Sequence, residues 1–254
     1  MKKLLAILLV ACMMLPLVCV MPVSAVAPTD GYKFDGNTWY YVDGTLSDVP
    51  RTIEVWVYPT ENRRQTIISN YNGFNTYGYW HFELKYESNV LYPAFEWQEL
   101  IENKSASSAY GSGHNHTRTF NFKNAKLSLN TWTHLTVVVD ADNSHVRCYK
   151  NAELVNTNGG GFHLGDLTPN INELQLVIGN DNRFNKPTDR AFTGKMASLT
   201  IFGDKRTDAE IKSDYQNGAD YEDENTVAHW TFPTAGGDVS NAVASAPDLI
   251  YSKY

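Results

Sequence analysis

Polar and apolar positions trade places along much of this chain. In Arg51-Thr52-Ile53-Glu54-Val55-Trp56-Val57-Tyr58 they alternate until Pro59 ends the run, which predicts a strand with one face buried and the other wet. Segments 65–70, 79–86, 90–97, 131–140, 145–149 and 174–178 read the same way. Leu135-Thr136-Val137-Val138-Val139 is apolar enough for a strand covered on both faces. Asn, Asp and Gly fill the gaps, as at Asp140-Ala141-Asp142-Asn143 and Asn158-Gly159-Gly160-Gly161. One stretch breaks the period. Thr207 followed by Glu210, with Gly218 beyond, predicts a short helix over 207–217 opened by a capping box. Many strands and one late helix make an all-β, two-sheet antiparallel sandwich, whose curved face and end loops are the usual places for a site.

The N-terminus has a different pattern. Lys2 and Lys3 precede an uncharged, mostly apolar stretch over 4–20, followed by Val23-Ser24-Ala25, the layout of a secretory signal peptide cleaved after Ala25. Two alternatives stay open: an uncleaved anchor, since 4–26 is about long enough to cross a bilayer, and a lipoprotein box at Leu9-Val10-Ala11-Cys12. Pro16, Pro22 and the small-residue exit favour cleavage. Residues 26–235 then form one domain, because no Pro/Gly/Ser-rich tract, long charge run or repeat divides them. Residues 236–254 are a C-terminal tail or a last edge strand.

Charge and cysteine content narrow the function. The chain carries a formal charge of −7, and loss of Lys2 and Lys3 makes the mature form more acidic still, which disfavours phosphate backbones and anionic membranes. Of Cys12, Cys19 and Cys148 only the last survives cleavage. It therefore has no internal disulfide partner and reads as a small core residue of an exported protein. The chain is expected to be secreted and monomeric, with no nucleic-acid partner and no membrane association after cleavage.

Catalytic patterns are missing. There is no Gly-x-Ser-x-Gly elbow, phosphate loop or His-Glu-x-x-His. Glu83 and Glu87 are four apart with Lys85 between them, Glu96 and Glu99 would point to opposite faces, and Glu222-Asp223-Glu224 lies in a turn-like stretch. No catalytic residue is assigned. His114-Asn115-His116 has no further His or Cys nearby to complete a zinc site and reads as part of an exposed loop over 104–118. The chain has 6 Trp, 15 Tyr and 11 Phe, and aromatic rings are core material in a sandwich before they are anything else. Trp56, Trp132 and Trp230 lie in strand-like runs and are expected inside. Tyr71, Tyr77, Tyr79, Trp80, Trp97 and Tyr110 lie in loop-like, polar surroundings, and are the candidates for stacking on a sugar ring.

The order of these segments resembles the laminin-G-like jelly-roll domains of exported bacterial proteins, in the concanavalin A-like lectin and glucanase superfamily. The resemblance runs from Phe34-Asp35-Gly36 through Thr52 to Pro59 and Ile67-Ile68-Ser69-Asn70-Tyr71. It is most specific at Asn130-Thr131-Trp132-Thr133-His134-Leu135 and on to Asp140, and closes with Phe192 to Phe202, the capped helix and Ala228-His229-Trp230-Thr231-Phe232. It implies a non-catalytic module that binds a glycan in the manner of a lectin. The alternatives it leaves are adhesion to an extracellular protein and, from the glucanase side of the superfamily, a glycoside hydrolase, although the Glu-x-Asp-x-x-Glu and Glu-x-Asp-x-Glu spacings of jelly-roll glucanases are missing. It also implies calcium at the rim, with Asp35, Asn180 and Asp181 as oxygen donors; ordinary turn-capping is the competing role for all three. Two departures stand out: Ala152 where the hairpin usually has Gly, and Pro233-Thr234-Ala235 where acids commonly follow.

Overall fold

The computed structural model describes residues 25–47, 50–71, 79–98, 117–140, 142–143, 145–159, 175–181 and 187–253. The apolar leader, Tyr77, Tyr110 and the His114/His116 pair lie outside the described residues. Among those described, the strands form two seven-stranded antiparallel sheets.

The first sheet comprises β1 (Tyr32–Asp35), β3 (Thr52–Pro59), β8 (Thr133–Asp140), β9 (His145–Lys150), β10 (Glu153–Gly159), β12 (Thr193–Phe202) and β13 (Thr226–Thr231). Its order is β1-β12-β3-β8-β9-β10, and β13 also pairs with β12. The second comprises β2 (Thr38–Val42), β4 (Gln65–Ser69), β5 (Trp80–Glu87), β6 (Val90–Gln98), β7 (Thr117–Asn121), β11 (Val177–Ile178) and β14 (Leu249–Lys253), ordered β14-β2-β11-β4-β5-β6-β7. The chain alternates between layers over β1–β4 and β10–β12, while β4–β7 and β8–β10 each run consecutively within one sheet, and a single core fills the space between the layers.

Alternation decides which residues enter that core. Ile53, Val55 and Val57 of β3, Leu135, Val137 and Val139 of β8, and Phe82 and Leu84 of β5 are all buried in one cluster with Phe34, Tyr40, Phe95, Phe192 and Trp230. Cys148 belongs to this cluster, and burial pushes its thiol pKa up, so it is packing material.

The helix α1 (Asp208–Asn217) lies against the outer face of the first sheet. Its capping box is formed as the sequence predicts: Thr207 Oγ1 accepts from the Glu210 backbone N–H, and the Thr207 N–H donates to Glu210 Oε2 at 2.7 Å. Its apolar contact is small, with Ile211 meeting Val138 and Tyr149. Ion pairs hold the rest. Arg206 is almost fully buried, donates to Asp214 Oδ2 at 3.1 and 2.8 Å and to Asp223 at 2.7 Å, and sits 4.3 Å over the Phe202 ring.

Several elements differ from the sequence expectation. β1, β2, β7 and β10 are strands that the polar pattern does not single out, and Arg118 belongs to β7 instead of the 104–118 loop. Leu249–Lys253 pairs with β2 along the sheet edge. Trp132 is only half-buried, packed at 5.4 Å against Tyr58 on the sandwich exterior.

Candidate functional site

The outward-pointing residues of the second sheet are where polar chemistry collects. Register across five strands places Val177 opposite Ser69, Ser69 opposite His81, His81 opposite Glu96, and Glu96 opposite Thr119. Tyr41 continues this row beyond Val177. A second row runs Thr66, Glu83, Ala94, Asn121. Cross-strand neighbours on one face lie about 5 Å apart, so these side chains share one face, opposite Trp80, Phe82 and Leu84; Thr66, Ser69, His81, Glu83, Ala94 and Val177 are buried on it, and Tyr41, Glu96, Thr119 and Asn121 are its accessible members.

The surface is held by its own bonds. Arg64 grips Glu83 with both arms of its guanidinium, Nε to Oε2 at 2.5 Å and Nη2 to Oε1 at 2.7 Å; such fork-to-fork pairing is the strongest form of this contact. Lys85 approaches Glu83 at 3.7 Å. Glu96 is half-buried and receives hydrogen bonds from the Tyr79 hydroxyl at 2.8 Å and the Thr119 hydroxyl at 3.0 Å. His81 shares a hydrogen bond with Thr66 through Nε2 at 3.0 Å, and its Nδ1 has no partner. Burial drives its pKa down to about 3, the Glu96 carboxylate opposing that shift and Arg64 and Arg190 reinforcing it. The ring is a neutral donor–acceptor at physiological pH.

Tyr71 and Tyr79 border this face, their rings 4.6 Å apart. They are pinned where β4 ends and β5 begins: Ser69 Oγ accepts from the Tyr71 N–H at 2.9 Å and Asn70 Oδ1 from the Trp80 N–H at 2.7 Å. Both tyrosines are largely buried. Trp80 and Trp97, expected as sugar-stacking rings, are core residues instead, 1% and 4% exposed and packed around Phe95. Their polar sequence neighbours project from the opposite face of the same strands, so a polar context in sequence is not an exposed position in a sheet. Sequence reasoning weighed Glu83 and Glu96 only as catalytic carboxylates and did not bring them together with His81 and Arg64. The signal was register: it sets Glu96 beside His81 and Glu83 beside Ala94 on adjacent strands, which no spacing along one strand marks.

The expected calcium donors fall at one end of the sandwich. Asp35 ends β1 and Asn180 and Asp181 follow β11. Gly179 adopts φ +82°, and a Cβ there would come within 2.5 Å of the Phe34 ring, so this glycine lets the two turns approach. Asp35 Oδ1 accepts from the Asn37 N–H at 2.9 Å and the Thr38 hydroxyl at 3.2 Å, and Asn180 Oδ1 from the Thr188 hydroxyl at 2.8 Å. Those are turn-capping bonds. The three side chains supply fewer oxygens than the six to eight calcium takes, and two of those oxygens are already bonded. Among the described residues, no group of three or more His, Cys, Asp or Glu side chains is placed to hold a metal.

Two layered antiparallel sheets with these interleaved connections define a concanavalin A-like jelly roll. The chain belongs to the laminin-G-like family of the concanavalin A-like lectin/glucanases superfamily, whose model matches residues 34–212. Solved structures share the fold at low identity. A candidate carbohydrate binding protein from Bacteroides ovatus superposes with a TM-score of 0.62 at 16% identity, over 89% of this chain and 59% of that one. This chain therefore spans about 59% of that relative's length. The CBM40 module of the Ruminococcus gnavus IT-sialidase superposes with a TM-score of 0.51 at 13% identity, over 72% of this chain and 95% of the module. The same module bound to α2,3 sialyllactose gives 0.50 at 14% identity over the same shares. No curated protein matches the chain.

Proposed function

We propose that this protein is a secreted, non-catalytic carbohydrate-binding module that reads its glycan on the outer face of the second sheet. The observation that carries the reading is Glu96. It is a half-buried carboxylate, held by Tyr79 and Thr119 in the middle of a polar cross-strand row beside a neutral imidazole. A carboxylate oriented by two hydroxyls keeps lone pairs to accept from sugar hydroxyls, and groups fixed before binding lose little entropy on complexation. The family and the carbohydrate-binding modules that share its fold favour the same reading. Secretion rests on the apolar leader.

The arrangement of carboxyl groups favours binding over hydrolysis. Retaining hydrolysis needs two carboxyl groups about 5 Å apart, one of them a proton donor. Here Glu83 is tied to Arg64 and Glu96 to Tyr79 and Thr119, and across the strands Glu83 faces Ala94 and Glu96 faces His81, so the two are not set opposite one another. The adhesion alternative calls for a broad apolar patch. Among the described residues the exposed large apolar side chains, Val26, Leu154, Tyr221 and Ile250, lie on separate segments.

A glycan array probed with the protein, with millimolar calcium and with a chelator in parallel, tests the proposal. Binding to one coherent sugar class is the expected result, and a blank array from folded protein would sink it. Loss of signal in chelator would place calcium at the Asp35, Asn180 and Asp181 end. Persistence would leave Asp35 and Asn180 as turn residues only.

A further inference from the structure

A concavity lies on the opposite side of the molecule from the Glu96 face. Between α1 and the outer face of the first sheet is a cleft of about 490 Å³. Its floor is another cross-strand row, in which His229 faces Thr200, Thr200 faces Glu54, and Glu54 faces Thr136. Trp56 and His134 form the next pair, and the C-terminal turn of α1 and Tyr221 form the wall.

Glu54 is the anomaly. It is 2% exposed, and neither carboxyl oxygen makes a hydrogen bond. Thr136 lies close enough to favour the charged form without bonding geometry, and His134 Nε2 is 3.6 Å away. His134 Nδ1 and Thr136 Oγ1 are also unpartnered. Buried polar groups left unsatisfied cost about 1–3 kcal/mol each; Glu54 and His134 line the cleft with Thr136 behind them, so a partner entering the cleft would meet two side chains that lack one.

The lining says what charge that partner carries. Among the described residues three carboxyl groups face the cleft, those of Asp30, Glu54 and Asp214, and no Lys or Arg lines it. Two are committed: Asp214 to Arg206, and Asp30 to Lys195 at 3.0 Å and to the Gly31 N–H. Glu54 alone is uncommitted. Burial, and then the Asp214 charge, raise its pKa well above the usual range, a cost that an entering cation removes. The geometry for an inorganic metal is missing, since no three such ligands converge among the described residues. Aromatic side chains line it instead: Trp56, backed by Tyr215 at 5.6 Å, and Tyr221, 47% exposed, which stands at the mouth against His229. Ammonium groups bind well between a carboxylate and aromatic faces.

We propose that the cleft under α1 is a binding site for a small organic ammonium group, carried by an amino sugar or a free amine, with Glu54 as its counter-ion. Calorimetric titration of the full chain with glucosamine, n-butylammonium and glucose tests this. Both amines should bind saturably, and glucose at least tenfold more weakly. Equal affinity for the two amines would identify the ammonium alone as the ligand group, and a tenfold preference for glucosamine would identify an amino sugar. Glu54→Gln should weaken amine binding at least tenfold and leave glycan binding on the opposite face unchanged, which separates this site from the one proposed above. If a thermal melt shows that variant unfolded, Tyr221→Ala, at the exposed mouth, should still weaken amine binding several-fold. Amines that bind no tighter than glucose, or binding indifferent to both substitutions, would overturn the proposal.

Discussion

Two imidazoles, His81 on the second sheet and His134 on the first, are held at pKa values of about 3 by burial. The consequence for stability has a definite sign. A histidine whose folded pKa is depressed binds its proton in the unfolded chain first, so stability falls as pH drops below about 6.5 and goes on falling towards 3. Each contributes a slope of about 1.4 kcal/mol per pH unit in that window. Glu54 and Asp214 act oppositely, because burial raises their pKa values and protonation relieves the cost of burying their charge. They offset part of the loss above about pH 4.5 and none below it. Urea unfolding from pH 7 to pH 3 should therefore show a modest decline that steepens below about 4.5; a flat profile would contradict the burial of both rings. Nothing in the sequence marks these histidines as special. Alternation indicates that His81 and Trp80 point to opposite faces, but only the register with Glu96 and Ser69 reveals which face is polar.

At the scale of elements, α1 buries few apolar side chains, so its cap and its ion pairs count for more than usual. Thr207→Ala removes the acceptor for the Glu210 N–H and should lower the unfolding free energy by about 1 kcal/mol, read as a lower urea midpoint at constant slope. No change would mean that Arg206 alone fixes the helix. This element was legible in the sequence because Thr207, Glu210 and Gly218 carry local signals. So were β3, β5, β6 and β8, whose alternation is strong. The edge and short strands were not: β2, Thr-Trp-Tyr-Tyr-Val, is apolar or aromatic nearly throughout, and β11 has only two residues. Pairing creates such strands more than propensity does. At the hairpin departure Asn151 and Ala152 both take positive φ, 53° and 62°, and complete the turn, with Ala152 held in the left-handed region at a cost of about 1 kcal/mol that glycine would not meet.

For the whole molecule, the two sheets bury one core between them and leave two outer faces, each crossed by a polar row. The resemblance identified the sandwich and its family correctly, and the sequence reading offered the curved face, the end loops and the rim for the site. Trp80 and Trp97 are needed inside, and the polar rows assemble only across strands, which is why the proposed glycan site is set on a face. The central claim is that the Glu96 face binds the glycan. It is tested most directly by the dissociation constant of the best array glycan for the native chain, Glu96→Gln and Glu54→Gln, each with its thermal midpoint. The account predicts at least tenfold weaker binding for Glu96→Gln at an unchanged midpoint and native affinity for Glu54→Gln; native affinity in Glu96→Gln would contradict it.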